Sequence, residues 1–335
     1  MKQYGLPYMG SKSKIAEWII DLLPAGRRFV DLFGGGFAMS HCALESGKFP
    51  QVFYNEINPL LVPLIRDAIN GKYSPDVFKP EWISREKFFE LKEKDGYIKY
   101  IWSFGNKGDS YIFGKDIENF KRALHNAMVF DDDKELKELY PNFEGFENKD
   151  YKSRRIQWSK FVLENTDKIK RNNHFYLASG KSCERLQRLQ LLERLQLLER
   201  LERLERLELH TGSYLDYEYK DGDVVYCDPP YENTAGYSND KIVSVEKYYS
   251  EKAQREYTKT KTEEFNSKEF YDWVASRPYP VFFSSYDISD NRFYVVDEKE
   301  KRSLLCATSN SKKVMEKVYC NMPVHYIKQK QLELF

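Results

Sequence analysis

Long apolar runs are missing from this sequence of 335 residues, and none approaches the roughly 20 residues needed to cross a bilayer. The opening segment MKQYGLPYMGSKSK also lacks the apolar core of a secretory leader, so the expectation is a cytoplasmic protein with no membrane partner. Cysteine is sparse and odd in number. Cys42, Cys183, Cys227, Cys306 and Cys320 form no CxxC pair, which argues against a disulfide framework or a zinc site and fits a reducing compartment. His41, His125, His174, His210 and His325 fall in no HExxH-like spacing, so no metal site is expected. An excess of one charge is missing too. With 53 basic and 52 acidic residues the net charge is +1, and a nucleic-acid ligand would have to be met by a local patch.

What is present is length enough for a sizeable core and an abundance of tyrosine and phenylalanine. The length suggests one large domain carrying an insertion, or two domains. Aromatics make up 16% of the chain and are interleaved with lysine, a mixture that serves an aromatic core and also suits stacking on bases.

Periodicity gives the order of elements. Apolar positions Ile15, Trp18, Ile19, Leu22 and Leu23 predict a helix over 13–23, stopped by Pro24-Ala25-Gly26. Phe29-Val30 predicts a strand running into Asp31-Leu32-Phe33-Gly34-Gly35-Gly36-Phe37, followed by a helix from Ala38 to Leu44. Gln51 to Tyr54 predicts a second strand ending at Asn55-Glu56-Ile57-Asn58, and Leu60 to Ile69 another helix. This β-α-β-α opening predicts a doubly wound, mostly parallel α/β sheet. From Lys72 to Asn173 the pattern degrades into an aromatic and lysine-rich region that reads as an insertion. Strand-like segments resume with LELHTGSY, VVYC and PVFFSSYD, and RFYVVDEK with EKVYCNMPV predicts a closing hairpin.

Residues 184–208 are low in complexity, with leucine at every third position from Leu186 to Leu207. In an α-helix such a stripe slips roughly 60° per triplet, so it is neither a coiled-coil seam nor a one-sided face. Four-residue pairs such as Glu199/Arg203, and the propensities of Leu, Glu and Arg, nevertheless predict a spacer helix.

Two loops carry chemistry. The Gly34-Gly35-Gly36 turn between a strand and a helix lets a ligand approach the backbone, and Glu56, at the end of the next strand, is placed to accept hydrogen bonds from ribose hydroxyls. No GxGxxG follows, so a pyrophosphate is not indicated; an adenosine ligand without phosphates points to S-adenosylmethionine. The second loop is Asp228-Pro229-Pro230-Tyr231, directly after the apolar run Val224-Val225-Tyr226. Two prolines continue neither a strand ladder nor a helix, so the chain leaves the sheet there and presents a carboxylate and a ring at a strand's carboxyl end.

In order, Tyr8 to Lys12, Asp31 to Phe37, Asn55 to Asn58 and Asp228 to Tyr231 resemble the motifs of Dam-type (class alpha, D12) DNA adenine-N6 methyltransferases. Ser284 to Asp287 and Glu316 to Val318 match less closely, and the leucine triplets depart from the family's best-known members. The resemblance implies a Rossmann-like methyltransferase domain over 1–71 and 205–335, an inserted target-recognition region over 72–183, and the leucine-triplet segment over 184–208. By the same resemblance Asp228, Pro229, Pro230 and Tyr231 are catalytic. Tyr8, Lys12, Asp31, Phe33, Gly34, Gly36, Glu56, Ile57, Tyr214 and Asp228 surround S-adenosylmethionine, with Tyr214 placed in the strand before the Asp228 loop. Double-stranded DNA is the implied partner, with Asn106, Lys107, Lys115, Lys152, Arg154 and Arg155 as candidate contacts. GATC is the candidate recognition site, and a cognate restriction endonuclease a candidate partner. Methylation of RNA adenine, cytosine N4 or a protein amide stays open as an alternative on the same fold, as does a catalytically silent DNA-binding module.

Overall fold

The computed structural model describes residues 3–73, 78–147, 150–165, 204–231, 242–250, 255–262, 265–302 and 313–323. In chain order the helices are α1 (Ala16–Leu22), α2 (Ala38–Ser46), α3 (Leu61–Ile69), α4 (Arg85–Leu91), α5 (Gly96–Ile101), α6 (Glu118–Phe130), α7 (Lys134–Leu139), α8 (Tyr151–Glu164) and α9 (Ser267–Ala275). The strands are β1 (Arg28–Asp31), β2 (Gln51–Glu56), β3 (Leu207–Thr211), β4 (Asp223–Cys227), β5 (Ile242–Ser250), β6 (Arg255–Thr262), β7 (Val281–Ser285), β8 (Tyr294–Arg302) and β9 (Lys313–Cys320). Two compact units result: one holds 1–66, 197–244 and 261–335, the other 67–196 and 245–260.

The first unit is built on a seven-stranded sheet of order β3-β2-β1-β4-β7-β9-β8. β1 pairs in parallel with β2 on one side and β4 on the other, so the strand order reverses at β1. A crevice opens at such a reversal, outside the carboxyl ends of the strands. The register aligns those ends: Asp31 stands opposite both Tyr54 and Tyr226, which brings the residues after β1, β2 and β4 to one edge. β1 and β4 are buried along their whole length, as expected of central parallel strands covered on both faces. One covering element is α9, whose Phe270, Tyr271, Trp273 and Val274 pack with Val30, Val225, Val281 and Phe283 in one apolar cluster. The predicted closing hairpin is present as β8 and β9, with β9 antiparallel to both β7 and β8.

The opposite, amino-terminal edge of the same two strands is held by charge. Arg28 donates from Nε to Asp223 at 2.8 Å and from one terminal nitrogen at 2.7 Å, a forked pair between the first residues of β1 and β4. Asp223 also accepts from the Tyr217 hydroxyl at 2.6 Å and the Lys220 amide at 2.9 Å.

The leucine-triplet segment departs from expectation at its end. Leu204–Arg206 form a 3₁₀ turn, and Leu207 and Glu208, shared by the expected helix and the expected LELHTGSY strand, begin β3 by pairing with Val52 and Phe53. The free edge of β2 offers backbone partners there, and ladder hydrogen bonds override the helical preference of Leu and Glu. Arg206 anchors the turn on the Pro50 carbonyl at 2.7 Å and on that of Phe49. Residues 184–203 lie outside the described residues.

In the second unit the stretch without clear periodicity contains α4 to α8. Ala123 and Ala127, one turn apart on α6, lie in a buried cluster with Phe143 and Trp158. β5 and β6 pair in a separate two-stranded sheet that the polar sequence of 242–262 did not reveal. No helix among the described residues is long and apolar enough to cross a membrane.

Asp223→Ala removes one half of a buried, forked ion pair and leaves Arg28 without its main partner. Unfolding in urea should show a loss of about 3–5 kcal/mol, as for other broken buried pairs.

Candidate functional site

The glycine turn after β1 is shaped by what presses on it. A Cβ at Gly34 would lie 2.1 Å from the Tyr54 ring, and one at Gly36 2.5 Å from Cβ of Tyr8. Gly35 adopts φ of +45°, which disfavours any side chain. Its two polar groups are both used: the Tyr54 hydroxyl donates to its carbonyl at 2.7 Å, and its amide donates to Glu56 Oε2 at 2.7 Å. The other Glu56 oxygen accepts the Asn58 amide at 3.0 Å. Glu56 therefore locks the turn as well as ending β2 at its rim.

These residues wall a concave cleft that is open to solvent. Tyr8, Lys12, Phe33, Gly34, Gly36, Glu56, Ile57, Tyr214, Asp228 and Pro230 all line it, so the cleft gathers residues from distant parts of the sequence. Phe265 joins them from the start of α9, with its ring edge-on to Phe33 at 5.8 Å, and Phe33 faces Tyr214 at 5.1 Å. Tyr214 is not in a strand, as expected, but opens a 3₁₀ turn after β3 that is capped by Ser213. The turn carries the ring onto the wall beyond the end of β3.

Asp31 stands elsewhere than the wall. It is buried, Oδ2 accepts from Ser40 at 2.7 Å, and Oδ1 has no hydrogen-bond partner among the described residues. Burial pushes its pKa from 3.8 up to about 7; the Ser40 bond opposes this, and the negative charges of Asp228 and Glu56 add to it.

At the exit from β4 the carboxylate of Asp228 meets Lys12, whose ammonium lies 2.6 Å from Oδ1 and 2.7 Å from Oδ2. The same ammonium is 3.5 Å from Glu316 and 4.8 Å from the centre of the Tyr231 ring. The Tyr231 hydroxyl lies 3.2 Å from Asp228 Oδ1 and bonds Glu316 Oε1, while its ring meets Tyr286 edge-on at 4.8 Å. Burial, then the charges of Asp228 and Glu316, hold the Tyr231 phenol well above its ordinary pKa, so it stays a donor. Pro229 is buried at the strand exit and Pro230 lines the cleft.

Sequence reasoning left Glu316 and Phe265 out of the site. Glu316 had a signal: it shares one face of β9 with Val314, Val318 and Cys320, so a carboxylate occupies an inward position of an apolar strand. Phe265 had none, since an aromatic before a helix is ordinary.

The candidate DNA contacts belong to the second unit and are unequal. Lys107 and Lys115 are exposed, and Arg155 is half-buried. Asn106 sits at φ of +60° and spends its amide on the Tyr100 carbonyl at 2.9 Å, so it shapes the 103–111 loop. Arg154 is corrected outright. Only 3% exposed, it donates to the Ala127 and Met128 carbonyls at 3.0 and 3.1 Å and pairs with Asp131 at 2.5 Å. It caps the last turn of α6 and offers nothing to a phosphate. Lys152 has no described side chain.

The D12 class N6 adenine-specific DNA methyltransferase family matches residues 8–304. The chain belongs to this family. Its α/β fold is that of the family, and the family's activity is adenine-specific DNA methylation, with DNA as substrate. No curated protein matches the chain.

The raised pKa of Asp31 makes stability depend on pH. The folded state holds its proton more tightly than the unfolded chain, so the stabilisation is full below about pH 4 and is lost as pH rises through about 7. Asp31→Asn cannot ionise, and its urea-unfolding stability should change less than wild type's between pH 4 and pH 8.

Proposed function

We propose that this chain transfers a methyl group from S-adenosylmethionine to the N6 amine of an adenine swung out of a short DNA site, with GATC the first sequence to assay. The observation that carries the reading is the placement of Asp228. It stands at the strand-order reversal and lines the same cleft as the glycine turn and Glu56.

The cleft fits the cofactor that methyltransferases of this kind generally use. Phe33, Tyr214 and Phe265 supply flat aromatic walls for an adenine, Glu56 an acceptor at the end of β2, and the glycine turn an open backbone. Ile57, 57% exposed at the rim, covers a ring edge. S-adenosylmethionine bound there supplies an electrophilic methyl on a sulfonium. The protein's task is to make the target nitrogen a nucleophile, because its lone pair is delocalised into the purine ring.

Asp228 and the Pro229 carbonyl accept the two N–H bonds of the amine and favour tetrahedral geometry at nitrogen. Asp228 can do this while paired with Lys12, since a carboxylate has about four acceptor directions. Lys12 holds that carboxylate in place at the cleft wall. Pro229 fixes the direction of its own carbonyl. The Tyr231 ring, oriented by its hydroxyl bonds and by Tyr286, stacks on the extruded base. Once methylated, the nitrogen sheds a proton, and Asp228 is placed to take it.

In the second unit, the 103–111 loop presents exposed Phe104 beside exposed Lys107. That pairing suits a ring against a base step and an ammonium against a phosphate, with Lys115 and Arg155 as further phosphate contacts.

Two variants test the reading. Asp228→Ala should bind DNA and cofactor nearly normally yet lose at least about 10²-fold in single-turnover methylation, the scale for one electrostatic contact to a reacting group. Nucleosides from DNA of a methylase-free host are read by mass spectrometry, and undiminished N6-methyladenine, or N4-methylcytosine in its place, sinks the proposal. Glu56→Ala should weaken S-adenosylmethionine binding by about 1–3 kcal/mol in calorimetry, through loss of a charged acceptor and of the lock on Gly35.

A further inference from the structure

Glu316 is fully buried, yet it belongs to neither the glycine turn nor the Asp228 loop. A buried carboxylate costs several kcal/mol unless partners compensate it, so its surroundings show what it is kept for. Among those partners are Lys12 and Tyr231, two side chains that also touch Asp228. The position follows from topology. β9 runs antiparallel to β7 with Ser285 opposite Lys317, so a residue early in β9 arrives at the carboxyl edge where β4 ends.

The distances show how the two carboxylates divide their neighbours. One ammonium serves both, closer to Asp228 at 2.6 Å than to Glu316 at 3.5 Å. One hydroxyl proton serves both, and the hydroxyl lies nearer Glu316 than Asp228, from which it is 3.2 Å away. Tyr231 therefore gives its proton to Glu316. Without the Glu316 charge, that proton would turn to Asp228 Oδ1 and the ammonium would close on Asp228 alone. Both moves consume acceptor directions that an incoming amine requires.

We propose that Glu316 is a positioning residue for methyl transfer, drawing the Tyr231 proton and part of the Lys12 charge toward itself so that Asp228 keeps lone pairs open to the target amine. The inference rests on the methyl-transfer reading above. Glu316 touches no substrate, and acts only through Tyr231 and Lys12.

Glu316→Gln keeps the shape and removes the charge. Its single-turnover rate on unmethylated DNA should fall about ten- to a hundredfold, with the dissociation constants for S-adenosylmethionine and DNA within about threefold of wild type. Tyr231→Phe takes away the proton that would cap Asp228, so Glu316→Gln should slow the Tyr231→Phe enzyme clearly less than it slows wild type. A purely structural Glu316 would slow both backgrounds alike, and that result overturns the proposal, as does Glu316→Gln at the wild-type rate. Should the Gln variant not fold, Glu316→Asp carries the test. Its shortened carboxylate keeps a charge beside Lys12 but withdraws from the Tyr231 hydroxyl; about three- to tenfold slower transfer is expected, and an unchanged rate overturns the proposal. The wild-type rate in the same assay tests the methyl-transfer reading, while the ratios to it test Glu316.

Discussion

Two carboxylates, Asp228 and Glu316, stand at one edge of the sheet with the Lys12 ammonium shared between them. Lys12 offsets part of the desolvation that burying two acidic side chains costs. The N-terminal segment folds back to bring Lys12 to the ends of β4 and β9. It is pinned on its way: Leu6 donates its amide to the Gly36 carbonyl at 2.7 Å, and the Gly5 amide donates to His41 at 3.0 Å. The close packing of Tyr8 on Gly36 follows from the same path. One N-terminal segment thus contributes to the cleft wall, packs on the glycine turn and supplies the cation of the acidic cluster.

The sheet divides stability and chemistry between its two ends. At the amino ends of β1 and β4, Arg28 and Asp223 satisfy each other in a closed fork. At the carboxyl ends the acids outnumber the cation among the described residues, Asp31 holds its proton to about pH 7, and hydroxyls mediate between charges. A surplus of negative charge is poorly stable in isolation and well suited to a cationic ligand or a developing positive charge at nitrogen.

Much of this was legible because glycine and proline punctuate the sequence where the backbone is constrained. The glycine turn, Glu56 and the exit at Asp228 all carry such marks, and the parallel order followed from β-α-β spacing. Features that depend on what lies opposite in space were not marked. Arg154 looks like any surface cation until α6 ends against it; Leu207 and Glu208 suit helix and strand alike until β2 offers an edge. Tyr214 was assigned the right neighbourhood and the wrong backbone, since a capped turn after β3 leaves no periodic signal. Glu316 fell between these cases: its alternation with Val318 and Cys320 marked it as inward, but only the fold supplied its partners.

The antiparallel seat of β9 also sets an order of assembly in time. Lys12 and Asp228 are 216 residues apart, and Glu316 follows Asp228 by most of the remaining chain. At about 5–20 residues per second, Lys12 leaves the ribosome on the order of tens of seconds before Glu316. A nascent chain can thus form the cleft walls and seat Lys12 on Asp228 while the Tyr231 hydroxyl still has no carboxylate from β9 to hold it. The acidic cluster is completed only when the closing hairpin docks, so its full charge pattern is a property of the finished fold and of no shorter stretch of the chain.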